Sequence, residues 1–174
     1  MAWGLSWKEI IKDEIGVFIN SYFFVFYIYY KRIDMTLLEL IHTIKEIALK
    51  QPNVRTFGEG NIYDMLNANS SIEYDCVITT QGAHSTSGEF NNFNLNLFYV
   101  SRLKGDLEDN RLQIQSIGIE VLNNILKILE DVYDVEFNNL TFNTFTERFA
   151  DETAGVYCTV TLITEKEIYC GEDY

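Results

Sequence analysis

The chain has 174 residues, enough for one domain or for one domain with an appendage. Apolar residues make up 47% and charged residues 22%, which excludes wholesale disorder. Thirteen basic residues stand against 26 acidic ones, a net charge of −13, so the chain is poorly suited to binding a phosphate backbone.

The charge is unevenly spread. Residues 1–34 are neutral, and residues 35–174 carry nine basic and 22 acidic side chains, the whole imbalance. The first segment contains an uncharged run, Ile15 to Tyr30, IGVFINSYFFVFYIYY. As a helix it would be about 24 Å long, short of the roughly 30 Å hydrocarbon core of a bilayer. Its aromatic density from Tyr22 to Tyr30 favours a strand or a packed surface. Three readings stand for residues 1–34. They are an appended element packed on this protein or a partner, upstream sequence preceding a true start at Met35, or a membrane anchor. With Lys31 and Arg32 behind it, an anchor would keep the main domain inside. The run lacks the basic leader and small-residue cleavage site of a secretory signal.

From residue 35 the period of the apolar residues alternates. Thr36 with Glu39 makes a capping-box pattern, and Leu37, Leu40, Ile41, Ile44, Ile47 and Ala48 form one helical stripe that ends before Pro52. Val54 to Phe57 reads as a short strand and Ile62 to Leu66 as one helical turn. Residues 72–80 read as a half-buried strand, with Ile72, Tyr74, Cys76 and Ile78 on one face. The loop QGAHSTSGE separates it from residues 92–102. There Phe93, Leu95, Leu97 and Tyr99 alternate with Asn92, Asn94 and Asn96. The pair reads as an extended hairpin. A second amphipathic helix is expected over 108–130, with Gly118 marking close packing on the sheet. Strands are expected over 140–149 and 156–164, joined by a turn at 150–155, before a polar, acidic tail. The order predicts an α+β domain over 35–174, a mostly antiparallel sheet with two amphipathic helices on one face.

The chemistry-bearing residues do not assemble into a motif. Cys76, Cys158 and Cys170 are odd in number and scattered, which points to a reducing compartment rather than a disulfide framework. The first two fall mid-strand on apolar faces, and Cys170 falls in the tail. His42 lies on the flank of the first helix. His84-Ser85 sits in a polar loop with no third group to complete a relay. No metal spacing, phosphate loop or calcium loop is present. The reading is therefore non-enzymatic, with no catalytic residues, cofactor or metal. Uncharged loop residues Gly82, Ala83, His84, Ser85 and Thr86, and the turn residues Asp151, Glu152 and Thr153, are the candidate subunit contacts.

In this order, the stretches TLLELIHTIKEIAL, IEYDCVITTQG, NFNLNLFYVSRL, RLQIQSIGIEVLNNILKIL and ERFADETAGVYCTVTL resemble the tail-completion or tail-terminator proteins of tailed bacteriophages. The Asn-, Ile- and Tyr-rich texture is similar to that of crAss-like phage ring proteins. The resemblance implies a non-enzymatic virion protein assembled in the host cytoplasm. It would form a homo-oligomeric ring, commonly of six or twelve copies. That ring would stack with portal or other neck and tail rings and pass DNA through its lumen without binding it specifically. No small-molecule substrate is implied. The aromatic segment before Met35 departs from that pattern. Two rival expectations are a cytoplasmic interaction module tethered to a membrane by residues 15–30 and a small enzyme whose site is assembled from scattered residues.

Overall fold

The computed structural model describes residues 35–67, 73–104, 107–138, 140–148 and 151–165. The expected appendage over 1–34 lies outside the described residues. The elements in chain order are α1 (Leu37–Leu49), β1 (Thr56–Glu59), α2 (Ile62–Met65), β2 (Cys76–Gln81), β3 (Ser85–Ser87), β4 (Phe90–Arg102), α3 (Leu107–Tyr133), β5 (Glu136–Asn138), β6 (Phe142–Arg148) and β7 (Glu152–Glu165). This is the α+β architecture that the alternating periods predict. The sheet runs β1-β2-β4-β7-β5, with β3 beside β4 and β6 beside β7. Every pairing is antiparallel except β1 with β2.

Helix α1 begins where its cap requires. The Thr36 hydroxyl accepts the Glu39 N–H at 3.3 Å, and the Glu39 carboxylate accepts the Thr36 N–H at 2.9 Å. The Thr36 hydroxyl also donates to the Glu39 carboxylate at 2.8 Å, and this bond, after that from the Thr36 N–H, holds the Glu39 carboxyl below its ordinary pKa. Leu40, Ile44, Ile47 and Ala48 of α1 join Val121, Leu122, Ile125, Leu126 and Leu129 of α3 in one core. Beneath them lie Val77, Leu95, Leu97, Tyr99, Val156, Cys158, Val160 and Leu162 of the sheet. On α3 it is Ile114, and not the exposed Leu112, that faces inward. Asp134 ends the helix at φ 56°, and the Val135 N–H then bonds back to the Leu129 carbonyl at 3.2 Å.

The centre of the sheet is the β4–β7 ribbon, paired without a break from Phe90 opposite Glu165 to Arg102 opposite Thr153. Gly118 lets α3 approach this ribbon. A Cβ there would lie 2.9 Å from Tyr99 Cδ1 and 3.1 Å from Val156 Cγ2, as its helix-interior glycine suggests. Alanine would gain about 1 kcal/mol of helix propensity and lose more by overpacking the buried Tyr99 ring. Gly118→Ala is expected to lower stability by about 1 kcal/mol net, read as a shift of the urea midpoint.

Three sequence expectations need correction. Strand β2 is not half-buried. Cys76, Val77, Ile78 and Thr79 are all buried, and Val77, not Cys76 and Ile78, joins the core beneath the helices. Cys76 and Ile78 pack with Leu66 and Val100 in a second core on the outer face, against Ile62 and Met65 of α2. The helical turn at 62–66 thus covers the Cys76–Ile78 face, and the Val77 face that the alternation assigned to solvent lies beneath the helices; Tyr74 precedes the strand and Ile72 lies outside the described residues. The 140–149 strand is shorter, Phe142–Arg148, and is preceded by β5, which pairs the same edge of β7 at Leu162. The 150–155 turn is also shorter, because β7 begins at Glu152.

Candidate interaction surface

The loop after β2 is a bulge that continues into a strand. Gln81 pairs Leu95 and Ser85 pairs Asn92, so Gly82, Ala83 and His84 stand opposite two residues of β4. One extra residue of this kind bends a strand and raises its twist. The Gly82 N–H bonds the Asn94 carbonyl at 2.8 Å, and the Ala83 carbonyl accepts from the Asn94 side-chain amide. The His84 ring meets Phe93 edge-on at 5.6 Å. Ser85 and Thr86 then pair β4 as strand residues. The hairpin turns at Gly88-Glu89, with Gly88 at φ 61°, the requirement of a type II′ turn. The five candidate contacts 82–86 are all exposed, but they lie on the arm and the tip is beyond them.

The second candidate group divides. Asp151 is half-buried and accepts a 2.7 Å bond from Arg102 Nη2. Glu152 is exposed, whereas Thr153 is fully buried and donates its hydroxyl to the Glu147 carbonyl at 3.1 Å. The pairing of Arg148 with Glu152 draws Thr153 into the sheet. Its side chain has no surface to offer a neighbour.

The outer face of the ribbon carries a pattern that these loops do not. Thr80, Asn96 and Thr159 form one cross-strand row. The Asn96 amide donates to Thr80 Oγ1 at 3.1 Å, and the Thr159 hydroxyl donates to Asn96 Oδ1 at 2.7 Å. In the next row the Thr161 hydroxyl donates to Asn94 Oδ1 at 2.6 Å. Beyond Thr159, away from the turn, Phe98 stacks on Tyr157 at 5.4 Å, and Phe145 of β6 meets Phe98 edge-on at 6.4 Å. All three rings are half-buried. Among the described residues, this face shows no ionisable group between Thr80 and Phe145 except the Tyr157 phenol. The period of two places Asn94 and Asn96 on this face. The threonine partners could not be named without the register.

No family model matches the chain, and no curated protein does. Among solved structures it is similar to a crystal structure from Akkermansia muciniphila, at a TM-score of 0.34 and 8% identity, covering 80% of this chain and 83% of that one.

At the opposite end of the sheet, a cleft of about 310 Å³ is lined by Arg55, Glu73, Tyr74, Asp75, Ser101, Arg102 and Lys104. Asp75 adopts φ 66°. Its carboxylate accepts the Ser101 hydroxyl at 2.6 Å and faces Arg55 Nε at 3.3 Å, while its carbonyl accepts the Arg55 N–H at 2.8 Å. The Tyr74 hydroxyl bonds Asp151, and burial followed by the Asp151 and Cys76 charges raises its pKa. Sequence reading missed the cleft because its residues come from three separate segments, two of them adjacent only through the β2–β4 register.

Among the described residues no group of three His, Cys, Asp or Glu side chains could hold a metal ion, and no helix is long and apolar enough to cross a membrane. The Cys76 thiol is pushed up to about 12 by burial and by Asp75, and the Cys158 thiol is pushed up to about 12 by burial. Both are fully buried, as their apolar faces predict, although Cys76 opens β2 rather than lying mid-strand. Thiolate is the reactive form, so both thiols should resist a disulfide reagent at pH 8 in the folded protein. The denatured chain should show two more reactive thiols than the native one.

Proposed function

We propose that this chain is a structural virion protein that forms a homo-oligomeric ring of six or twelve copies at the head–tail junction of a tailed phage. In this reading it stacks with portal or other neck and tail rings. It catalyses no reaction and takes no cofactor and no small-molecule substrate. The observation that carries the reading is the Asn/Thr and aromatic face of the β4–β7 ribbon, a charge-free surface on a chain of net charge −13. Copies that repel through their field must meet where no charge is desolvated. Asparagine, threonine and tyrosine supply adaptable hydrogen bonds and area there at low cost. The Asn–Thr bonds across the ribbon also fix these side chains beforehand, which reduces the ordering cost of association.

Strand edges support the same reading. The outer edges of β3 and β1 lie on one side of the sheet and that of β6 on the other. None of these strands carries a proline or a lysine, the usual guards of a free edge. A ring needs two different surfaces that meet head to tail, and the two sides of this sheet differ. An acidic lumen would let DNA pass without holding it.

Native mass spectrometry and negative-stain microscopy of the full chain, alone and with a portal or tube partner as template, test the reading. A closed ring of one copy number is expected. A chain that stays monomeric in both settings overturns it.

A further inference from the structure

Two edges of the sheet stay open and cannot meet within one copy. Among the described residues no strand lies beyond β1 on one side or beyond β6 on the other. They are four strand spacings apart, about 19 Å. Register nevertheless keeps them level. Thr56 of β1 shares a row with Cys76, Val100, Gly155 and, on β6, Phe145. Glu59 shares a row with Thr79, Leu97, Cys158 and, on β6, Phe142. Strand β3 is not level with β6, since it pairs residues 90–92 at the other end of the ribbon.

Direction, backbone bonding and pleat agree along these rows. β1 is parallel to β2 and therefore antiparallel to β4, whereas β6 runs the same way as β4. The two edges are thus antiparallel to each other. Just past β1 the Gly60 N–H donates to the Thr79 carbonyl at 3.0 Å. Alternate residues of a strand bond to opposite sides, so Thr56 and Gly58 also face β2, and Phe57 and Glu59 turn their N–H and C=O outward. On β6 the Glu147 carbonyl accepts the Thr153 hydroxyl from β7. By the same alternation Phe142 and Thr144 turn theirs outward. These outward residues carry their side chains on the helix-covered face, opposite Val77 and Thr79 at one edge and Cys158 and Val156 at the other. There Phe57 and Phe142 are only half-buried against the core.

We propose that β6 of one copy pairs antiparallel with β1 of a second copy, residues 142–145 opposite residues 59–56. This rests on the reading that copies associate, and it names one contact through which they do. The rows of one sheet then run on into the next. Phe57 with Thr144 and Glu59 with Phe142 become hydrogen-bonded pairs. Phe57 and Phe142 become diagonal neighbours on the helix-covered face, a separation that aromatic side chains span. Each ring thereby covers the exposed part of the other, and the core continues across the joint. No two acids face each other, because Glu59 meets Phe142 and Glu147 lies beyond Thr56 on the Arg55 side. The two edges differ, so the contact is head to tail and propagates around a ring.

Full-length chains carrying Cys170→Ser test it, since Cys76 and Cys158 are buried and do not compete. A tagged Glu59→Cys copy is mixed with an untagged Phe142→Cys copy, and copper–phenanthroline with oxygen oxidises neighbouring thiols. Directly opposite Cα atoms of a hydrogen-bonded pair lie about 5.5 Å apart, within disulfide range. A disulfide-linked product of mixed size is expected. Thr144→Cys in place of Phe142→Cys sits one pleat off the row, about 7–8 Å away, and should give at least about fivefold less product. The second variant is Thr144→Pro. It removes an outward N–H that the β6–β7 pairing does not use, so the urea midpoint should stay close to that of wild type. The concentration at which rings form should rise at least about tenfold. A mixed product that is absent, or no greater than with Thr144→Cys, overturns the proposal. So does a folded Thr144→Pro chain that assembles like wild type, and if that chain unfolds the cross-link decides alone. Microscopy of wild type separates the two claims. Wild-type rings without the cross-link remove the strand joint and leave the ring reading standing, while neither rings nor cross-link removes both.

Discussion

Gly155→Ala is expected to destabilise the domain by about 3 kcal/mol or more and to lower its melting temperature by about 8 °C. Gly155 lies within β7, opposite Val100 on β4 and Phe145 on β6. A Cβ added there would lie 2.2 Å from the Tyr99 carbonyl oxygen and 2.6 Å from Phe145 Cζ. The carbonyl belongs to the β4 backbone and cannot yield without distorting the central ribbon. The Phe145 ring lies over the glycine and is held by Phe98 and Tyr157. Gly88 provides the control. A Cβ there meets nothing within 4 Å, and only its φ of +61° opposes a side chain, a cost of about 1 kcal/mol. Urea titrations of both variants check the contrast. Equal losses would mean that β7 does not cross β4 as closely as described.

That glycine marks where the sequence stops being readable. Periodicity alone located α1, α3, β4 and the inward residues Phe93, Leu95, Leu97 and Tyr99, because each has one buried face and a long run. It failed at β2, where the Ile62–Leu66 segment, ten residues upstream, covers the second face and hides the alternation. It failed at β5, whose three residues Glu136–Asn138 are too few to show a period. Gly155 reads as a turn glycine beside Ala150 and Asp151. Its role is to admit the Phe145 ring, a cross-strand relation that no local window contains.

The candidate surfaces were legible to a similar degree. The small, polar composition of residues 82–88 marks an exposed arm, but bulge, strand and turn differ only in backbone geometry. The Asn face of β4 is visible in its spacing, whereas its threonine partners on β7 depend on a register set some 65 residues away. The cleft joins Arg55 to Asp75 through the parallel β1–β2 pair, a long-range pairing that hairpin logic does not anticipate, and Asp75 to the Ser101–Arg102 end of β4 through the β2–β4 pair.

Leu97 and Phe98 are neighbours on β4 with opposite orientations, and their truncations should separate folding from assembly. Leu97 is fully buried beneath the helices. Leu97→Ala removes its transfer free energy and leaves a cavity between sheet and α3, an expected loss of about 3 kcal/mol. Phe98 is half-buried on the outer face, stacked on Tyr157 and edge-on to Phe145. The copy on its own should lose only about 1–2 kcal/mol on Phe98→Ala, since part of the ring already meets water. If a second copy covers that face, the same ring becomes an aromatic anchor at an interface, where truncation typically costs 2 kcal/mol or more in binding, roughly thirtyfold or greater. Urea unfolding should therefore rank Leu97→Ala as the more damaging change. Sedimentation at concentrations where wild type assembles should rank Phe98→Ala as the variant that stays folded and dissociates. A Phe98→Ala chain that assembles like wild type would remove the Phe98 side chain from the ring contact.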